Sequence, residues 1–316
     1  MKVKNLLCVS IILLSSGCGG NSYNYPVSQP VYQYQPVSNQ NLQTNQDCTC
    51  KSNTTSTNTT NKSSTSINSK ANVSTTTKTT TEKKSTESSK NTSKTETKKE
   101  VSNEQKVQTV ADELYYKAIA KMKSIDTFKT DLVNYNKGFY YKKEKVTEPK
   151  IALATMQIVF QRPRKTMMKI VEAPSAPSLI NTKLYCDGGE NVRIRVPGIL
   201  GLFAFTFSVD KPDLTGNRGY NIKEIDAVNL ELRLDDKNAK VKLTGTSKIE
   251  GEDVYLLEVT NIRHLDSEII KEVIGIKKSD YSLILHEMYD KNEVVFRNEF
   301  KNFVYNIPVT EDDFKV

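Results

Sequence analysis

The chain has no tryptophan and two histidines, His264 and His286. Neither histidine belongs to an H-E-x-x-H or comparable metal-ligand spacing. No G-x-S-x-G nucleophile elbow and no glycine-rich phosphate loop is present. The carboxylate clusters "EGED" (250–253) and "EDD" (311–313) fall in turn and tail positions, where solvated charge is the ordinary explanation. No catalytic constellation is left, so the chain reads as a non-enzyme with no cofactor and no metal. Long apolar runs are also scarce. Mean hydropathy is −0.53. The uncharged stretch 196–209, "VPGILGLFAFTFSV", falls short of the ~20 apolar residues a spanning helix needs. It is either a buried strand or a surface for something apolar. Charge of one sign is missing where it would matter. The formal net charge is +8, but residues 1–100 hold 12 Lys+Arg against 5 Asp+Glu, while residues 101–316 hold 33 against 32. The basicity belongs to the N-terminal third, which argues against a nucleic-acid partner. The five cysteines (8, 18, 48, 50 and 186) include one C-x-C with no histidine nearby, a poor metal site.

The N-terminus is more informative. "MKVKNLLCVSIILLSSGCGG" begins with Lys2 and Lys4, continues as an apolar core from Leu6 to Leu14, and ends in small residues at Cys18. That is the layout of a secretory signal. A cysteine directly after small residues resembles the lipobox of bacterial lipoproteins. The resemblance implies that residues 1–17 are removed and that Cys18 is lipidated. Several acyl chains at ~0.8 kcal/mol per buried methylene would hold the protein on a membrane almost permanently. Gly19 is not the Asp that retains such proteins in the inner membrane, so a lipid anchor in the outer membrane, facing the periplasm, is expected.

Residues 18–106 read as a disordered stalk. Tyr, Pro, Gln and Asn dominate up to Asp47, and 27 of the 50 residues from Lys51 to Glu100 are Ser or Thr. Such a segment has too little apolar surface to offset the conformational entropy of folding. As a flexible coil it would reach ~50 Å. It is either a tether that lets the head work away from its membrane or a spacer that clears surface polymers.

The folded head is expected over 107–316. "TVADELYYKAIAKMKSI" places Leu114, Ala118 and Met122 at helical spacing, with Ala111, Tyr115 and Ile119 beside them. Thr109 and Asp112 suggest a capping box at its start. The period then changes to two. Strands are predicted over 128–135, 151–161, 165–172, 179–186, 191–196, 202–209, 239–248, 254–261, 272–277, 281–289 and 294–305, and 230–234 is ambiguous. Turns are legible at 187–189, 250–253 and 290–292. The fold class is therefore mainly β with α: a curved antiparallel sheet or open barrel behind one N-terminal helix. "KIALATMQIVFQ" is apolar on both faces, with Ala152, Ala154, Met156, Ile158 and Phe160 on one and Ile151, Leu153 and Val159 on the other. Two apolar faces call for two covers. The inner one is either side chains alone or a ligand, and Met156, Met167, Met168 and Met288 suit either.

Four stretches resemble the LolA/LolB family of lipoprotein carriers and receptors and related lipid-binding lipoproteins. They are "ADELYYKAIAKMKSIDTFKTDL", "VFQRPRKTMMKI", "PSLINTKLYCDGGENVRI" and the tail from Ser279, with its closing Phe314. The resemblance implies a half-open β-barrel, covered by helices, whose apolar cavity binds acyl chains of lipids or lipoproteins. It places Arg162 where the family's arginine holds the empty pocket shut. Met156, Ile158, Phe160 and Met168 are then lipid-contacting strand residues. Ile199, Leu200 and Leu202 are expected as an apolar loop at the cavity mouth, with Phe203, Phe205 and Phe207 continuing as a strand pointing to one face. The implied function is a membrane-anchored, monomeric lipoprotein that binds acyl chains for lipoprotein sorting or lipid transport. The alternative is a structural or sensory surface lipoprotein with the same fold and a filled pocket.

Overall fold

The computed structural model describes residues 103–141, 144–264 and 266–316. The expected signal segment, the lipidation position Cys18 and the expected stalk up to residue 102 lie outside the described residues.

Helix α1 spans Asn103–Lys123 and begins ahead of the expected 107. Asn103–Gln108 holds Glu, Gln and Lys, which favour helix without contributing to an apolar stripe, so periodicity did not reveal them. Thr109 consequently lies inside the helix, where its hydroxyl donates back to Gln105 O at 2.8 Å instead of capping. Ala111, Leu114, Tyr115, Ala118 and Ile119 are buried as one stripe.

Eleven strands follow: β1 Thr127–Tyr141, β2 Glu144–Gln161, β3 Lys165–Glu172, β4 Lys183–Cys186, β5 Asn191–Arg195, β6 Phe205–Ser208, β7 Lys240–Ile249, β8 Glu252–Thr260, β9 Lys271–Lys277, β10 Leu283–Tyr289 and β11 Val294–Tyr305. They form one antiparallel sheet in the order β6-β5-β4-β3-β2-β1-β11-β10-β9-β8-β7. Two hairpin series, β1–β6 and β7–β11, join where β1 pairs with β11. The sheet stays open, with β6 and β7 as its edges, and its concave side carries α1 and a short helix α2, Ala227–Leu234. The α2 segment "AVNLELRL" is the one left ambiguous by periodicity. Asp226 decides for helix: its side chain accepts from Asn229 N at 2.7 Å and caps the first turn.

Two apolar clusters fill the concave side. One lies under β1–β6 and includes Met156, Ile158, Phe160, Met168, Leu184 and Ile194. The other joins α1 to β7–β10 through Leu114, Tyr115, Leu257, Ile274 and Ile276. Helix α2 bridges them: Ala227 and Val228 pack on the first, and Leu230 and Leu234 belong to the second. The expectation that β2 needs a cover on both faces is corrected. Ala152, Ala154, Met156, Ile158 and Phe160 are buried on the inside, whereas Ile151 is exposed and Leu153 and Val159 are only half-buried. The outer face of β2 meets water, as antiparallel sheets allow. Cys186 is buried in the first cluster, where burial raises its thiol pKa and leaves it a small hydrophobe.

Candidate functional site: an apolar cavity under a clamped helix

A cavity of about 120 Å³ lies between the sheet and the two helices. Its wall follows from strand register. Leu132 on β1 stands opposite Met156 on β2 and Phe300 on β11, and Ile158 stands opposite Met168 on β3. Strand alternation sends all five to the concave side. Phe128, Phe160 and Phe303 close one end as a ring cluster, with Phe128 and Phe160 stacked at 4.9 Å. Asn134 and Asn298, bonded to each other at 2.6 Å, are polar members of the lining. The roof is Met122 and Ile125 from the end of α1, with Ala227, Leu230 and Glu231 from α2.

Arg162 stitches the seam between those two roof pieces. Its Nε donates to Ile125 O at 2.9 Å, and Nη2 donates to Met122 O at 3.0 Å and to Glu231 Oε2 at 2.5 Å. The two carbonyls lie at and just past the C-terminal end of α1, where the dipole favours a cation; Met122 O also accepts from Ile125 N at 3.2 Å. One guanidinium thus caps α1 and ties it to α2.

Helix α2 is held by polar contacts along its whole length. Arg164 pairs with the capping Asp226 at 3.5 Å. Arg233 pairs with Glu272 on β9 at 2.8 Å, and Lys123 with Asp235 at 2.6 Å. The Tyr115 hydroxyl donates to Leu234 O. Burial, with the Glu272, Asp235 and Asp236 carboxylates nearby, raises the Tyr115 pKa, so this donor keeps its proton.

Glu272 is fully buried and is the hub at the far end of α2. Besides Arg233 it meets His286 Nε2 at 2.6 Å and His264 Nδ1 at 3.2 Å. The two histidines, far apart in sequence, therefore converge on one carboxylate, a grouping that no sequence spacing signalled. Burial alone would raise the Glu272 pKa. The His286 and Arg233 charges and hydrogen bonds outweigh it and hold the carboxyl down at about 2. Burial lowers the His264 pKa against the pull of Glu272. Burial raises the Asp226 carboxyl, against the hydrogen bond from Asn229 and the charge of Arg164.

A pH dependence follows. Glu272 titrates lower in the folded chain than in the unfolded one, so its contribution is complete above about 4.5 and is lost as pH falls toward about 2. The unfolded chain also protonates its His264 before the folded one does, so stability already declines below about 6.5. Asp226 works in the opposite sense, but no pairing of its own spans the α2–β9 junction. The melting temperature is expected to fall steadily from pH 7.5 to pH 4, with α2 amides losing hydrogen-exchange protection first. A melting temperature that is flat across that range contradicts this account.

The residues singled out from sequence divide into two groups. Met156, Ile158, Phe160, Arg162 and Met168 line the cavity. Leu202 and Phe203 do not: they are exposed beyond the sheet's β6 edge. Phe205 and Phe207 stack on each other on β6, opposite Ile194 and Val192 of β5, and Phe207 packs on the first cluster. The backbone of Ile199 and Leu200 forms a short 3-10 turn in the same edge loop, and their side chains lie outside the described residues. The expectation of a loop at the cavity mouth is thus corrected. β6 is three strands from the β3 wall, and strands are spaced ~4.8 Å apart, so the loop sits well to the side. Sequence reading passed over Leu132, Asn134, Glu231, Phe296, Asn298 and Phe300. The alternation within β1 and β11 was legible, but not that these two strands pair.

No family model and no curated protein matches the chain. Among solved structures it is similar to a DUF1329 family protein from Desulfovibrio piger, at 11% identity and TM-score 0.33, over 65% of this chain and 97% of that one. It is similar to a LolA superfamily protein from Nitrosomonas europaea, at 12% identity and TM-score 0.30, over 65% and 97%. It is also similar to the Mycobacterium tuberculosis lipoprotein LppX, at 8% identity and TM-score 0.39, over 64% and 98%.

Proposed function

We propose that the chain is a cell-envelope lipoprotein that takes lipid or lipoprotein acyl chains into the cavity beneath α2, without covalent chemistry. In this reading residues 1–17 are the signal, Cys18 carries the anchor in the outer membrane, 18–106 is the stalk and 107–316 is the binding domain. The observation that carries it is the cavity itself, walled by Met156, Ile158, Phe160 and Met168 and roofed by a helix fastened through polar contacts. Apolar walls with adaptable methionines suit irregular chains. Releasing that roof means breaking its charged contacts and lifting Leu230 and Leu234 out of the second cluster.

The magnitudes are compatible with opening and closing. Breaking the three Arg162 hydrogen bonds costs about 4.5 kcal/mol, taking charged hydrogen bonds at ~1.5 kcal/mol each. Burying about six methylenes at ~0.8 kcal/mol each offsets that. The cavity of about 120 Å³ is below the ~300–1,000 Å³ of ordinary ligand pockets, so it must widen to take an acyl chain. The same small volume favours the second reading, a structural or sensory surface lipoprotein whose pocket is filled by side chains.

Native mass spectrometry of the purified chain after incubation with lipid vesicles, followed by organic extraction, separates the two. Stoichiometric non-covalent phospholipid or acylated peptide supports the carrier or receptor. A clean apo-mass overturns it in favour of the filled pocket. Ile158→Trp, which fills the cavity from β2, is expected to reduce uptake of a fluorescent fatty-acyl probe at least severalfold. Its overpacking should cost only about 1–3 kcal/mol. Undiminished uptake by the folded variant would place the acyl site elsewhere.

A further inference from the structure

The face of the sheet away from the cavity is chemically uneven. Lys169 on β3 stands opposite Lys183 on β4, and Lys183 opposite Arg195 on β5. All three alternate with buried residues and so point outward, as does Arg193 on the same strand as Arg195. With strands ~4.8 Å apart, the row holds three cations within about 10 Å. Like charges directly opposite one another weaken a sheet. Carboxylates do not relieve the row. Among the described residues none of the four cations has an ion-pair partner, although Lys183 Nζ donates to Lys315 O at 3.2 Å; Glu311 is taken by Lys165 and Asp312 by Lys315. Glu172, one row along, accepts a hydrogen bond from Thr155.

The row ends in an apolar prong. Arg195 Nε donates to Gly201 O at 2.5 Å and so pins the loop between β5 and β6 against the row. In that loop Leu202 is 72% and Phe203 67% exposed. A soluble polyanion would use the cations and leave two large side chains in water. An apolar partner segment would gain nothing from a row of like charges. An anionic bilayer uses both, headgroups against the row and the acyl boundary around the prong.

We propose that the outer face of β3–β5, with Leu202 and Phe203, docks the folded head onto an anionic lipid surface. This goes beyond the acyl-binding reading and stands on different residues, since none of these side chains lines the cavity. Docking by this face, beside the C-terminal segment that lies against β3 and β4, leaves α2 facing away from that bilayer.

The test is amide hydrogen exchange of the 198–204 loop in the full chain, mixed with phosphatidylcholine vesicles with or without phosphatidylglycerol. Each cation near an anionic surface strengthens binding about fivefold. Protection is therefore expected to rise by roughly that factor or more only with phosphatidylglycerol, and to vanish in high salt. Lys183→Glu/Arg195→Glu should abolish it, and Leu202→Asp/Phe203→Asp should reduce it with the melting temperature unchanged. Equal protection on both vesicles, none on either, or equal protection by dextran sulfate in solution each overturns the proposal. Acyl-probe uptake by the charge-reversed variant should be normal, so loss of docking and failure of the cavity reading are distinguished.

Discussion

Arg162→Leu is expected to lower the melting temperature by roughly 6–12 °C, a loss of about 3 kcal/mol at the 2–4 °C per kcal/mol usual for a domain of this size. The variant removes one side chain and orphans two acceptors, the carbonyl of Ile125 and the carboxylate of Glu231, whose side chain is 11% exposed; Met122 O keeps the backbone N–H of Ile125 at 3.2 Å. Leaving a buried acceptor unpaired costs more than the net value of its hydrogen bond, and a charged one most of all. Arg162→Lys should recover little, because an ammonium on a flexible stem cannot reproduce a planar fork that spans two helices. Arg162→Leu/Glu231→Leu should recover part of the loss, since it removes the stranded charge as well. The same change loosens the α1–α2 seam, so an apolar dye should enter the cavity faster than in the parent chain. A variant as stable as the parent, with unchanged dye entry, would show that α2 is held by packing alone.

How much of this was legible in the sequence depended on range. β3 and β11 match the predicted bounds, Lys165–Glu172 and Val294–Tyr305, although neither alternates strictly in burial. The wall residues Met156, Ile158 and Phe160 were legible because β2 does alternate: alternation assigns a face, and the buried face of a curved sheet is the cavity face. In α2, "LELRL" fits both periods over a short span, and only the Asp226 cap separates them. Apolar composition could not say whether 199–207 borders the mouth or the edge, because that depends on how many strands lie between. The Glu272 cluster was hidden altogether. It draws on α2, β9, β10 and the loop before β9, and each contributes a single residue that is unremarkable in its own segment.

That cluster carries the other large effect. Arg233→Met is expected to cost about 3–5 kcal/mol, the usual result of removing one partner from a buried ion pair. Glu272 is fully buried, so its carboxylate cannot turn to water when the guanidinium is gone. Only His286 and His264 remain to neutralise it, and each does so only when protonated. Arg233 also lowers the His264 pKa by its charge, so its removal raises the proton affinity beside Glu272. The pH dependence near neutrality should then be shallower than in the parent. In the parent chain stability declines as pH falls below about 6.5, because the folded state resists protonating His264. In the variant the charge of Arg233 no longer opposes that protonation, so the loss of stability between pH 8 and pH 6 should be smaller than in the parent. Paired melting curves at those two pH values decide the matter. Parallel slopes for parent and variant would mean that Glu272 takes its neutralising charge from outside this cluster. A shallower slope in the variant would locate the fastening of α2 to the sheet in one buried carboxylate, its arginine and the two histidines that meet it.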